Sequence, residues 1–124
     1  MDSIDEMMLN QIGNIKFWSG IAAINKRYKP EWPTRMIFRY SISAKACYEI
    51  ICKSIIIDPK TLEPDIFEPN ASYDLYYTDV AKWNDGVSRF NREIIAEGNL
   101  ETCLKHAKLD FEKMLEVLAG NSDD

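Results

Sequence analysis

Cys103, His106 and Asp110 stand at i, i+3 and i+7, a spacing that would line three ligand-capable side chains along one edge of a helix. Zinc takes four such ligands, or three and a water. The chain holds a single histidine, so a fourth ligand would have to come from elsewhere. Cys103 and Asp110 also flank an apolar seam, where a thiol packs and a carboxylate is solvated. The expectation is therefore no metal site.

Nucleophilic catalysis has little to work with. Any Ser-His-Asp or Cys-His arrangement would have to use His106, and no Gly-x-Ser-x-Gly elbow is present. Glu101 and His106 are too far apart for the Glu-x-x-His pairs of di-iron bundles. Glu93/Glu97 and Glu112/Glu116 could line a Mg²⁺ site, although such pairs on helices are far more often solvated faces. No phosphate-binding or dinucleotide loop appears. We expect no catalytic residue, no cofactor and a protein that is not an enzyme.

Two segments carry binding chemistry instead. Lys26, Arg27, Tyr28 and Lys29, then Trp32, Arg35, Arg39 and Tyr40, interleave cations with aromatics, as phosphate contacts and base stacking require. Further on, Asp58, Glu63, Asp65 and Glu68, followed by Asp74, surround Ile66 and Phe67. Such a segment can steer a basic protein partner and anchor it through an apolar side chain. Its prolines, Pro59, Pro64 and Pro69, limit the entropy lost on docking. Asp65, Phe67, Glu68 and Asp74 are the expected partner-binding residues. Lys26, Arg27, Lys29, Trp32, Arg35 and Arg39 carry the alternative, a nucleotide or nucleic acid.

Charge favours the first of these. The net charge is −5 and the pI about 4.9, which weighs against general nucleic-acid coating. Met1–Lys60 has nine Lys/Arg against six Asp/Glu, or +3, and Thr61–Asp124 has six against fourteen, or −8. With 124 residues, one domain spanning 1–124 can bury a core without metal or disulfides. The three cysteines, Cys47, Cys52 and Cys103, cannot all pair and form no CxxC, which suits a reducing compartment. An acidic start and no apolar run of about 20 residues argue against a signal peptide or membrane span. The expected localisation is cytoplasmic, with no membrane partner.

The elements that must position these residues read as helical. Tyr73, Tyr76, Val80, Trp83, Val87, Phe90 and Ile94 follow 3-4 spacing, and so do Leu100, Leu104, Ala107, Phe111, Met114 and Leu118. Glu97-Gly98-Asn99 separates the two sets: Gly98 can end one helix and Asn99 cap the next. Asn84-Asp85-Gly86 is a turn signal inside the first set, but the unbroken apolar phase favours one kinked helix. Trp83, at its centre, should cost about 3–5 kcal/mol when replaced by alanine in a buried site.

Upstream, Ser3 to Gln11 and Ile15 to Tyr28 read as helices, and Pro30-Glu31-Trp32-Pro33 as a break. Thr34 to Ile57 fits both helical and strand spacing. Helix is favoured there, because no second convincing strand offers itself as a partner. Residues 58–71 form a proline-containing acidic loop, and 121–124 a frayed acidic tail.

The expected fold is all-α: a four- or five-helix bundle centred on a C-terminal antiparallel helical hairpin. The expected function is non-enzymatic protein–protein interaction, as a small adaptor, inhibitor or regulatory subunit with charge-complementary surfaces. A homodimer burying leftover aromatic faces is compatible with it.

Overall fold

The structure, a computed structural model, describes residues 3–23, 35–54, 56–62, 64–82 and 86–122. Its elements are α1 (Ser3–Ile12), a 3-10 turn (Ile15–Phe17), β1 (Ser19–Ala23), β2 (Arg35–Ser41), β3 (Ala46–Ser54), β4 (Ser72–Lys82), β5 (Ser88–Gly98) and α2 (Leu100–Ser122). The strands form one antiparallel meander in the order β1-β2-β3-β4-β5.

The all-α expectation is thus wrong: the fold is α+β, and the described residues form a five-stranded sheet with two α-helices. The helical bundle and its C-terminal helical hairpin are absent. The cause lies in a sheet that carries apolar side chains on both faces. Tyr73, Leu75 and Tyr77 alternate toward the helices, while Tyr76, Thr78 and Val80 occupy the opposite face of the same strand. The 3-4 thread from Tyr73 to Ile94 crosses between these faces and mimics a helical stripe. The expected continuous, kinked helix across Asn84-Asp85-Gly86 is replaced by a hairpin, with Asn84 and Asp85 themselves outside the described residues. Lys82 pairs with Ser88 across the β4–β5 hairpin, and Gly86 has a φ of 78°. Trp83 lies outside the described residues.

The same error explains Thr34 to Ile57. With β4 and β5 read as helix, β3 had no partner, yet Ile50 opposes Leu75 and Tyr48 opposes Tyr77. The segment is a β2–β3 hairpin in which Phe38 opposes Ile50 and Tyr40 opposes Tyr48. Its turn is closed by Ile42 N–H donating to Ala46 O at 2.9 Å. The expected helix from Ile15 is replaced by the 3-10 turn and β1.

α2 follows its sequence signal. Leu100, Cys103, Leu104, Ala107 and Phe111 are buried in a stripe against Tyr48, Ile50, Cys52, Tyr73 and Leu75 of the sheet. Asn99 caps this helix: Thr102 N–H donates to Asn99 Oδ1 at 2.9 Å. Gly98 ends β5 rather than a helix, with φ 153°. α1, helical as expected, adds Leu9 and Ile12 to the same core. Trp18 Nε1 donates to Ile12 O at 3.0 Å, and Tyr40 Oη to Gln11 Oε1 at 2.7 Å, which ties α1 to β2. No helix among the described residues is long and apolar enough to cross a membrane.

Candidate interaction surface

Both helices pack on one face of the sheet, so the functional candidates are the opposite face, the sheet edges and the connections. The longest described connection joins β3 to β4. Its first part holds a turn over residues 59–61, where the ring of Pro59 restricts the backbone. Asp58 Oδ1 accepts from Lys60 N–H at 2.8 Å, and Leu62 N–H donates to Asp58 O at 2.8 Å. The chain then returns beside itself: Ile57 bridges Pro64, and Asp65 N–H donates to Ile56 O at 2.8 Å.

A second set of turns follows. Asp65 Oδ1 accepts from Phe67 N–H at 3.2 Å, and Glu68 Oε1 accepts from Asn70 N–H at 3.3 Å. Tyr73 Oη donates to Ile66 O at 3.1 Å, which fixes the loop to the start of β4. The three carboxylates therefore brace the loop while each keeps an oxygen for other contacts.

This braced loop packs Ile56 and Ile66 against the core and holds Leu62 and Phe67 outward. Leu62 is 78% exposed and Phe67 58%. Leu62 also has a φ of 59°, the left-handed conformation that glycine or asparagine normally fills. A leucine there costs about 1 kcal/mol. Nothing in the sequence marks position 62, because the handedness is set by the turn around it.

The predicted partner-binding residues divide. Asp65, Phe67 and Glu68 come together in the loop. Asp74 does not: it sits on the open sheet face, where its Oδ1 lies 2.9 Å from Lys53 Nζ, a charge contact without hydrogen-bond alignment. Lys53 also lies 3.7 Å from Glu97. Of the alternative set, Lys26, Arg27, Lys29 and Trp32 lie outside the described residues, as does the side chain of Arg35. Arg39 is engaged: its guanidinium donates to Glu49 Oε2 at 3.1 Å. That pairing raises the Arg39 pKa, chiefly through the hydrogen bond. Glu49, 8% exposed, takes a further 3.5 Å contact from Thr78 Oγ1.

The candidates for metal and catalysis are dispersed. Cys103 is buried, its Sγ 3.8 Å from Tyr73 O, and burial pushes its pKa up to about 11, so the thiol stays protonated. His106 is exposed, and Asp110 Oδ2 accepts from Tyr48 Oη at 2.7 Å. Glu93 and Glu97 fall on opposite faces of β5, because a bulge intervenes: Tyr77 opposes Glu93 and Asp74 opposes Glu97. Among the described residues no three His, Cys, Asp or Glu side chains converge as a metal site would require.

A cleft of about 350 Å³ opens between the C-terminal half of α2 and β4–β5, lined by Tyr77, Glu93, Ile95, Asp110, Lys113, Met114, Val117 and Leu118. Its walls are mainly apolar, and Asp110, one of its polar lining groups, is already bonded to Tyr48. Comparisons with protein-family models, with curated proteins and with solved structures find no match for this chain.

Proposed function

We propose that the protein is a non-enzymatic interaction module, an adaptor, inhibitor or regulatory subunit whose β3–β4 loop docks on another protein. The observation that carries this reading is Leu62, held in a left-handed backbone and 78% exposed. Strain at a residue with no packing role is what a presented contact residue costs. Phe67 supplies the second anchor, and Asp58, Asp65 and Glu68 form an acidic rim around the pair. The partner is a protein with an apolar pocket ringed by Lys or Arg. The unpaired thiols of Cys47, Cys52 and Cys103 support action in the reducing cytoplasm.

Two variants separate binding from folding. Leu62→Asn replaces leucine by a residue that tolerates the left-handed conformation, so it should keep or raise stability. Phe67→Ala removes an exposed ring with little effect on the core. Tagged wild type and both variants are used to capture partners from the native cell. The reading requires one protein that wild type retains, that both folded variants release faster, and whose association slows with salt. A partner retained equally by all three would remove the loop from the interface.

A further inference from the structure

We infer that β5 pairs with β5 of a second copy, antiparallel and in the register that sets Asn91 against Asn91, making one ten-stranded sheet. This surface is separate from the loop that carries the proposed function.

Among the described residues β5 ends the sheet, so one row of its N–H and C=O groups has no described strand beside it. Every residue from Ser88 to Ile94 is exposed, and a bulge follows at Ile95, where the register with β4 shifts. The regular, uncovered stretch is thus 88–94, and its midpoint is Asn91. A two-fold axis through that midpoint leaves no residue of the stretch unpaired.

The side chains fit this axis. In an antiparallel pair directly opposed residues share a face, and here their numbers sum to a constant. Arg89 meets Glu93 of the other copy twice, on the helix-bearing face. Five guanidinium donors let Arg89 add this contact to those within its own chain. On the open face Phe90, 65% exposed, meets Arg92 of the other copy, also twice. That guanidinium already lies 4.1 Å from the Tyr76 ring centroid, so Phe90 adds a second aromatic partner. Asn91 Nδ2 donates to Asp79 Oδ1 at 3.0 Å and keeps an acceptor and a second N–H for its counterpart.

Neighbouring registers are worse, which is what fixes this one. Shifting the axis to Arg92 places two arginines face to face, and shifting it to Glu93 places two glutamates face to face. Shifting to Phe90 removes both Arg–Glu pairs. Like charges opposed in a sheet repel, which disfavours slippage toward Arg92 and Glu93, and the loss of both Arg–Glu pairs disfavours slippage toward Phe90. The axis stands perpendicular to the sheet and sends the two β3–β4 loops to opposite ends of the assembly.

The test is sedimentation of the full chain from low micromolar to near-millimolar concentration, with Arg89→Glu, Glu93→Arg and the double swap. Wild type should show a monomer–dimer equilibrium. Each single reversal places like charges opposite at two symmetric positions and should weaken association at least about fivefold. The double swap restores both pairs and should recover most of it. Circular dichroism confirms that each variant is folded. A second measurement does not depend on charge: with oxidised glutathione, Asn91→Cys should form a covalent dimer and Ser88→Cys should not, because position 88 faces Ile94 in this register. A wild type monomeric throughout, a double swap no better than the singles, or equal cross-linking at 88 and 91 overturns the proposal. A monomer that still binds its partner through Leu62 and Phe67 would leave the loop reading standing.

Discussion

The hydrogen bond from Tyr48 to Asp110 should show a measurable asymmetry between its two ends. Tyr48 is fully buried, and its ring lies 5.5 Å from that of Tyr77, whereas Asp110 is half-buried beside the α2 cleft. Tyr48→Phe keeps the ring and removes the donor. Asp110 then turns to water, and the cost is that of one charge-assisted bond, about 1–2 kcal/mol. Asp110→Ala instead strands a buried hydroxyl, adding its desolvation to the lost bond, about 2–4 kcal/mol in all. The double variant has neither a stranded donor nor an unmet carboxylate, so it should lie close to Tyr48→Phe alone. Urea unfolding followed by tryptophan fluorescence measures all four corners of the cycle. Melting temperatures give a check, at about 4 °C per kcal/mol for a chain of this size. If Asp110→Ala costs no more than Tyr48→Phe, water reaches the Tyr48 hydroxyl and the cleft floor is wet, which refutes the reasoning.

Gly98→Ala should lose about 1–3 kcal/mol in the same unfolding assay, because φ is 153° and an added Cβ would meet Thr102 Cγ2 at 3.1 Å. Phe111→Ala, in the centre of the α2 stripe and 3% exposed, should cost about 3–5 kcal/mol; a value below about 1 kcal/mol would mean α2 is not packed on the sheet. Cys103, Tyr48 and Tyr73 have their pKa values raised on folding, burial being the first cause for each. The native state keeps protons that the unfolded chain loses, so this stability is complete below the unfolded values of 9.0 and 10.0 and drains away as pH rises through the folded ones. Urea midpoints should fall progressively above about pH 9, with a shallower decline in Cys103→Ala; a flat profile to pH 11 would contradict the burial of these groups.

What the sequence makes legible is decided by how one-sided each element is. α2 has one apolar stripe, one charged side and an asparagine cap, so 3-4 spacing finds it, although the helix runs on to Ser122, into the segment expected to be a frayed tail. The β3–β4 loop is legible through its prolines, which fit neither regular element. β4 and β5 are not one-sided. Tyr73, Leu75 and Tyr77 face the helices, while Tyr76, Val80, Phe90 and Ile94 face away, so period-two alternation is hidden. With apolar side chains on both faces, a path of threes and fours can be threaded through both strands. The turn signal at Asn84-Asp85-Gly86 was the better guide, because a glycine with positive φ is a backbone requirement and not a matter of composition. Asp65, Phe67 and Glu68 could be read as a unit because they are adjacent in sequence. The partners of Asp74 and Arg39 depend on strand register, which no local pattern contains.

The open face of the sheet is uneven, and that unevenness bears on where this protein can bind. Over β2, β3 and the first half of β4, its polar groups answer one another: Arg39 with Glu49, Glu49 with Thr78, and Lys53 with Asp74. A partner docking there would have to displace or desolvate these pairs, which costs more than it returns. Toward β5 the character changes. Val80, Phe90 and Ile94 are exposed, and Arg92 covers only part of Tyr76. Apolar surface therefore collects at the β5 edge, whose backbone groups have no described strand beside them. A second strand laid there satisfies the backbone row and covers Phe90 without disturbing the polar centre. The loop presents Leu62 and Phe67 from the far end of β4, so the two surfaces can be occupied at once. A dimer through β5 would then display two acidic loops, and a partner with repeated basic pockets would hold it more tightly than one loop can.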